Sequence, residues 1–211
     1  PRDWSSDVCS SDLAIPPRLI KDFQIPDELL VARAKSARMV SPSGKAVDIP
    51  IENGFVGMVD RAQFDEWLRE RAVTAGAERE DGLFESLTRE NSNVRIHYRA
   101  RGARDSDHGS LKSVLAKSVI GADGAKSQVG RSAGVKGCAE ANYVFAYHEI
   151  IKTPQDAPSS FDASRCDVLY QQPVSPDFYG WVFPHGDTIS VGTGSADKGF
   201  SLRNEIGRAH V

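Results

Sequence analysis

Cysteine is scarce in this 211-residue sequence, and long apolar runs are missing from it. Cys9, Cys138 and Cys166 are odd in number and lack Cys-x-x-Cys spacing, which argues against a disulfide framework and a zinc site and favours a reducing compartment. No stretch approaches the ~18 consecutive apolar residues of a membrane span, and no apolar segment near the start suggests a signal peptide. Lysine and arginine total 26 against 29 acidic residues, without a basic run, so nucleic-acid binding is not expected. The composition, 40% hydrophobic and 26% charged, is typical of a soluble globular protein, and no metal site is predicted.

The two ends of the sequence show no helical or strand periodicity. Codons for residues 7–13 can be chosen so that their reverse complement encodes residues 206–211. One short DNA string, translated from opposite strands, can therefore encode both ends, and that string resembles a common sequencing adapter. We therefore expect residues 1–13 and 205–211 to be non-native and residues 14–204 to be an internal segment of a longer protein.

Hydrophobic spacing in the central segment predicts many strands and few helices, that is, an α/β or α+β fold. The best helix candidate is 60–75, with Asp60 and Gln63 as a capping box and Gly76 as a C-cap. Proline favours a short helix after residue 14. Strands are predicted at 37–49 (a hairpin), 54–59, 78–88, 93–100, 112–120, 143–151, 167–171, 180–183 and 188–192, and loops at 102–110 and 154–164.

Residues 119–131 predict a buried strand that runs into a glycine-containing turn and a helix start. Gly121 and Gly124 permit positive φ or close approach to the backbone. Asp123 and Ser127 either hydrogen-bond a hydroxylated ligand or cap the helix, and the N–H groups of the turn suit a phosphate. From the residues alone, an ordinary capped turn is equally compatible. The candidate cofactor-binding residues in this motif are Gly121, Asp123, Gly124, Ser127 and Arg131.

This turn resembles the D-G-x-x-S-x-V-x-R fingerprint of flavoproteins of the p-hydroxybenzoate hydroxylase class, where it lies near the FAD and NAD(P)H pyrophosphates. Residues 59–68, a helix with an arginine near its start, also resemble that class. The resemblance implies that Arg61 faces the ribityl-phosphate side of FAD. The alternative for Arg61 is a solvated charge in the first helical turn.

An aromatic strand follows later in the chain. Tyr179, Trp181 and Phe183 alternate at strand spacing and therefore share one face. Such a face can line an apolar pocket for an isoprenoid chain, although a packed core strand closed by Pro184 is the commoner explanation of an aromatic stripe. His185 follows directly and completes the candidate substrate pocket.

The strand carries a more specific resemblance. Tyr-Gly-Trp-Val-Phe-Pro at 179–184 resembles the Y-x-W-x-F-P motif of geranylgeranyl reductases. Residues 14–17, 49–61, 144–150 and 175–184 together resemble the (bacterio)chlorophyll-pathway branch of that family. The matches lie in the family's order and extend over nearly all of the central segment.

The resemblance implies an FAD-dependent oxidoreductase that takes hydride from NADPH and saturates isolated double bonds of a geranylgeranyl chain to the phytyl form. The substrate is either the diphosphate or the pigment-bound chain, and the residues do not decide between them. An isolated alkene has no carbonyl to polarise, so charge on it must be stabilised in a dry pocket. Trp181 and Tyr179 can do so by cation–π attraction. The lipidic substrate implies a cytoplasmic protein at the periphery of a photosynthetic membrane, although no amphipathic membrane helix stands out.

The implied layout assigns 14–59 and 136–204 to a substrate sheet and 60–135 to a partial FAD-binding domain. The family's G-x-G-x-x-G segment and active-site cysteine would precede this segment, and a further FAD-binding segment would follow it. We therefore assign no catalytic residue and expect the 211-residue chain not to bind FAD tightly. Two alternatives are an aromatic-ring monooxygenase, which shares the fold and the turn fingerprint, and a non-catalytic isoprenoid-binding module.

Overall fold

A computed structural model describes residues 12–101, 108–138, 140, 142–153 and 161–203. In chain order, its elements are β1 (Asp12–Ile15), α1 (Pro17–Asp22), a 3₁₀ turn (Asp27–Leu29), β2 (Leu30–Ala34), β3 (Ser36–Val40), β4 (Ala46–Pro50), β5 (Val56–Asp60), α2 (Arg61–Thr74), β6 (Gly82–Glu90), β7 (Asn93–Arg101), β8 (His108–Ala116), α3 (Gln128–Ser132), β9 (Phe145–Lys152), β10 (Arg165–Leu169), β11 (Gly180–His185) and β12 (Thr188–Ser195). The chain divides into two compact units, residues 1–72 with 144–211 and residues 73–143.

The first unit holds two sheets. Six strands form a mixed sheet in the order β4-β3-β10-β11-β12-β9, in which only β3 and β10 are parallel, and three antiparallel strands form a second sheet in the order β1-β5-β2. Apolar side chains of β5 supply the centre of the core, where Met58 and Val59 are fully buried. Phe183 of β11 packs on the Met58 cluster, whereas Phe64 of α2 packs with Val59. The prediction of a mixed α/β fold with an interleaved sheet is confirmed.

Helix α2 begins and ends where the sequence predicts. The Asp60 carboxylate accepts a hydrogen bond from the Ala62 N–H (2.8 Å), which satisfies a free donor of the first turn. After Thr74 the chain turns at Gly76, which has a φ of +98° and donates to the Val73 carbonyl (2.9 Å). None of the helices in the described ranges is long and apolar enough to cross a bilayer.

The second unit is an antiparallel meander, β6-β7-β8, that carries the short helix α3. Here one prediction is wrong, because β8 ends at Ala116 and residues 117–120 belong to no strand. Ile120, predicted to be buried, is 90% exposed. A strand needs a neighbour for its backbone groups, and no described strand pairs with this segment. The apolar sequence alone therefore did not produce a strand.

The chain ends and two predicted loops fall largely outside the described residues. Of the ends expected to be non-native, the structure describes only Asp12 and Leu13, which pair with Asp60 and Val59 of β5. Sequence reasoning found no strand there, since backbone pairing with an existing edge needs no side-chain periodicity. The predicted turn at 102–110 and loop at 154–164 are described only in part.

Candidate functional site

An aromatic cluster surrounds β11 in the first unit. Tyr179 and Trp181 meet edge to face with ring centroids 6.1 Å apart, and Trp181 and Phe183 lie 6.4 Å apart. Phe178 stacks on Tyr179 at 4.1 Å, and Tyr170 meets the same ring edge-on at 5.8 Å. The structure thus brings together the three aromatic side chains predicted to share a face, and it adds two that the strand pattern did not indicate.

A glycine of β12 makes room for the central indole of this cluster. Gly192 pairs with Trp181 on one side and with His148 of β9 on the other. A Cβ at Gly192 would overlap the six-membered ring of Trp181 and lie 2.7 Å from the His148 Cβ. The indole therefore lies across β12, and its N–H donates to Ser190 Oγ (3.2 Å). Sequence reasoning missed this role of Gly192, although a Gly-x-Gly pair inside a strand opposite an aromatic strand is a usable signal.

Buried hydroxyls fix the loop that leads into β11. Ser175 Oγ accepts a hydrogen bond from the Phe178 N–H (2.8 Å) and donates to the carbonyl of Gly194 (2.7 Å). The Asp177 carboxylate accepts from Ser195 Oγ (2.6 Å), and this hydrogen bond holds the pKa of Asp177 below its ordinary value. These bonds tie the loop to β12, so the Phe178–Tyr179 pair enters the cluster from a fixed backbone.

The last residues of the predicted substrate pocket do not all share its face. Phe183 packs on the cluster of Ala34, Met58 and Cys166, which is the core role that the sequence left open for it. Pro184 is fully buried and, by strand alternation, points to the opposite face of the sheet. His185 returns to the aromatic side, where Thr188 Oγ1 lies 3.3 Å from its Nδ1 and donates to its carbonyl (2.7 Å). Its buried Nε2 has no hydrogen-bond partner within the described part of the chain.

In the second unit, the predicted turn caps α3. Asp123 accepts hydrogen bonds from Ser127 Oγ and from the N–H groups of Gln128 (2.6 Å) and Val129 (3.1 Å). The bond from Ser127, followed by the bonds from the backbone, lowers the pKa of Asp123. Ser127 Oγ in turn accepts from the Gly130 N–H (2.9 Å). Of the two roles the sequence left open, the structure shows helix capping, and cofactor binding by Asp123 and Ser127 stays a prediction.

The same turn leaves its backbone accessible. Gly124 has a φ of +80°, and open space surrounds the position that a Cβ would take there. The exposed turn residues can therefore be approached closely by a bound group, which is what a phosphate-bearing cofactor requires. Arg131 is exposed in the last turn of α3. A cavity of about 400 Å³ lies beside the turn and is lined by Leu87, Arg89, Val94, Val119, Gly121, Ser127, Val129, Gly130, Ala133, Val135 and Cys138.

Arg61, the remaining predicted cofactor residue, is the first residue of α2 in the first unit. Its guanidinium lies 2.8 Å from the Asp65 carboxylate one helical turn later, and 41% of its side chain is exposed. An ion pair of this kind stabilises a helix weakly. The observed geometry matches a first-turn surface charge, and contact with FAD stays a prediction.

Comparison with known proteins defines the class. Residues 32–190 match the family model described as FAD binding domain. This span holds the turn fingerprint, α2 and the aromatic strand. The chain belongs to this family of FAD-binding domains.

Comparison with individual proteins gives more detail than the family model. The chain is 52% identical over 191 residues to the geranylgeranyl diphosphate reductase of Rhodobacter capsulatus, covering 90% of this chain and 46% of that protein. It is 35% identical to the chloroplastic geranylgeranyl diphosphate reductase of rice, over 86% of this chain and 40% of that protein. The structure of a geranylgeranyl bacteriochlorophyll reductase-like protein from Thermoplasma acidophilum superimposes with a TM-score of 0.79 at 27% identity, over 97% of this chain and 52% of that one. The chain therefore spans about half the length of these relatives.

Proposed function

We propose that this chain is part of an FAD-dependent oxidoreductase that reduces isolated double bonds of a geranylgeranyl chain to the phytyl form, as in (bacterio)chlorophyll biosynthesis. The observation that carries the proposal is the indole of Trp181, held across Gly192 on an aromatic sheet face. The 52% identity to a geranylgeranyl diphosphate reductase supports the same substrate class.

The side chains of the aromatic face would bind the prenyl chain and keep water from the reacting alkene. Trp181 and Tyr179 present aromatic rings, whose negative faces stabilise partial positive charge on a carbon of the alkene. Ser190 accepts the indole N–H and so fixes the orientation of that ring. His185, whose buried Nε2 has no hydrogen-bond partner among the described residues, is the polar group we place beside the pocket.

The proposed cofactor contacts are the residues that the flavoprotein fingerprint predicts. The exposed backbone of Gly121 and Gly124, with Asp123, Ser127 and Arg131, would hold phosphate or ribityl groups of FAD, and Arg61 would contribute a positive charge. When bound and reduced by the two electrons of NADPH, FAD would supply the hydride for one alkene carbon, and a separate proton would be needed at the neighbouring carbon. In this proposal, 14–59 and 136–204 form the substrate part and 60–135 the FAD part of a peripheral protein at a photosynthetic membrane.

The test uses a chimera in which residues 14–203 replace the matching segment of the Rhodobacter capsulatus relative. We expect NADPH oxidation that depends on geranylgeranyl diphosphate or geranylgeranylated pigment. Trp181→Ala should lower kcat/KM at least about tenfold, whereas Trp181→Phe, which keeps an aromatic face, should retain most of it. Equal activity of the alanine variant would contradict the role given to the indole.

A further inference from the structure

The six-stranded sheet has two chemically different faces. On one face, Asp48, Arg38 and Asp167 are neighbours on β4, β3 and β10, and the same level continues through Val182 and Val191, which belong to a buried apolar cluster, on β11 and β12. Arg38 and Asp48 form a bidentate ion pair at 2.6 and 2.7 Å. This face is therefore charged on β4, β3 and β10 and apolar on β11 and β12.

The opposite face carries an apolar row that crosses four strands. Val47 pairs with Met39, Met39 with Val168, and Val168 with Trp181, so these four side chains form one line from β4 to β11. We call this line the apolar row. At its outer end Val47 is 57% exposed, and Ile49, which projects from the same face of β4, is 48% exposed. An apolar surface thus continues from the indole to the edge of the sheet.

The dimensions of the apolar row match an isoprenoid chain. Neighbouring strands lie ~4.8 Å apart, so the row extends roughly 14 Å from Trp181 to Val47. With carbon–carbon bonds of about 1.5 Å, four main-chain bonds of one isoprene unit advance about 5 Å, close to one strand spacing. Three isoprene units laid across the strands would therefore cover the row, with one unit over each spacing.

We propose that the apolar row binds the part of the prenyl chain that extends beyond Trp181, and that Val47 and Ile49 set the preference for long chains. This inference rests on the proposed function, because it takes the reacting alkene to lie at the indole. The row is continuous with that site, and its members offer a prenyl chain only apolar contacts. Because unit length and strand spacing agree, a chain can shift by one strand to present its next double bond without losing apolar contact.

The test measures binding of three diphosphates of increasing length to the 211-residue chain by isothermal titration calorimetry. The probes are geranyl, farnesyl and geranylgeranyl diphosphate, which share one head group. For the unsubstituted chain we expect the twenty-carbon probe to bind about tenfold or more tightly than the ten-carbon probe. In the double variant Val47→Asp, Ile49→Asp this ratio should fall to about two, with binding of the ten-carbon probe unchanged.

Two further variants separate the loss of apolar contact from a general effect of substitutions on β4. Val47→Thr with Ile49→Thr keeps β-branched residues on the strand and should lower the ratio partway, and Ala46→Asn changes the opposite face of β4 and should leave it unaltered. If both double variants still bind the twenty-carbon probe about tenfold more tightly than the ten-carbon probe, the role proposed for the apolar row is wrong. The proposed function would be unaffected by that result. If the ten-carbon probe itself fails to bind, or binds equally to Trp181→Ala, the site at the indole fails and the apolar row with it.

Discussion

The indole of Trp181 occupies the space that a side chain at Gly192 would fill. The two residues are direct partners on β11 and β12, and His148 closes the far side of the glycine. A side chain at this position therefore cannot be added without moving the ring. The position of the indole on the sheet depends on this glycine.

Gly192→Ala should destabilise the protein and disturb the aromatic face together. Forcing a methyl group into a filled space costs about 1–3 kcal/mol, and urea unfolding measures that loss. Displacement of the ring should also change its near-ultraviolet circular dichroism. Gly199→Ala is the control, because a Cβ there meets first the Asp197 carboxylate, the end of an exposed side chain, at 3.2 Å. An unchanged aromatic spectrum in Gly192→Ala would contradict the packing described.

Ser127→Ala should loosen the start of α3. The Ser127 hydroxyl accepts the Gly130 N–H, and loss of such a cap costs about 1 kcal/mol. Hydrogen exchange at the Gly130 amide should therefore become faster, while amides of β7 in the meander keep their protection. Ser118→Ala, an exposed serine in the segment after β8, should leave that amide unaffected.

The carboxyl of Asp177 should titrate below the ordinary aspartate range. Its folded pKa is lowered by the hydrogen bond from Ser195, so the bond stabilises the fold above the ordinary pKa of about 3.9 and is lost as the pH falls through the lower folded value. Ser195→Ala should move the titration upward, toward the ordinary range. Carboxyl-carbon NMR of Asp177 measures both values, and an identical midpoint in the two proteins would exclude the hydroxyl as the cause.

Asp167→Asn should be more damaging than Asp48→Asn, which lies on the same face of the six-stranded sheet. Arg165 binds Asp167 at 2.6 and 3.1 Å, and its side chain is only 8% exposed, whereas that of Arg38 beside Asp48 is 28% exposed. Removing the charge beside the buried guanidinium should cost about 3 kcal/mol, the low end for buried pairs, because Asp167 keeps 24% exposure. Equal losses for the two variants, by urea unfolding, would contradict the assigned burial.

The local spacing of apolar residues predicted most helices and strands. The features it did not predict depend on pairing between distant segments. The spacing of Phe64, Trp67 and Leu68 with Asp60 at the start was enough for α2, and alternation was enough for β11. The parallel pairing of β3 with β10 joins segments more than a hundred residues apart, and nothing local encodes it. For the same reason residues 117–120 were wrongly predicted as a strand, since their apolar character says nothing about whether a partner is present.

The candidate site was predictable in its alternating aromatic residues, but not in Tyr170, Phe178 or the residues that support the cluster. Tyr179 and Trp181 follow from period-two alternation, whereas the roles of Gly192 and Ser195 depend on which strand lies next to β11. Asp123 illustrates the converse case. Its spacing to Ser127 is compatible with both a ligand contact and a cap, and the folded turn forms the cap.

The central claim is that the aromatic face serves the reduction of a prenyl chain. The most direct test is mass spectrometry of the products that the chimera forms. The chimera is supplied with FAD, NADPH and either geranylgeranyl diphosphate or geranylgeranylated pigment. Our account predicts products heavier by successive pairs of hydrogen atoms, and fewer of them with Trp181→Ala. Products that instead gain one oxygen atom, or tight binding of the prenyl substrate with no change in mass, would contradict it and favour a monooxygenase or a binding module.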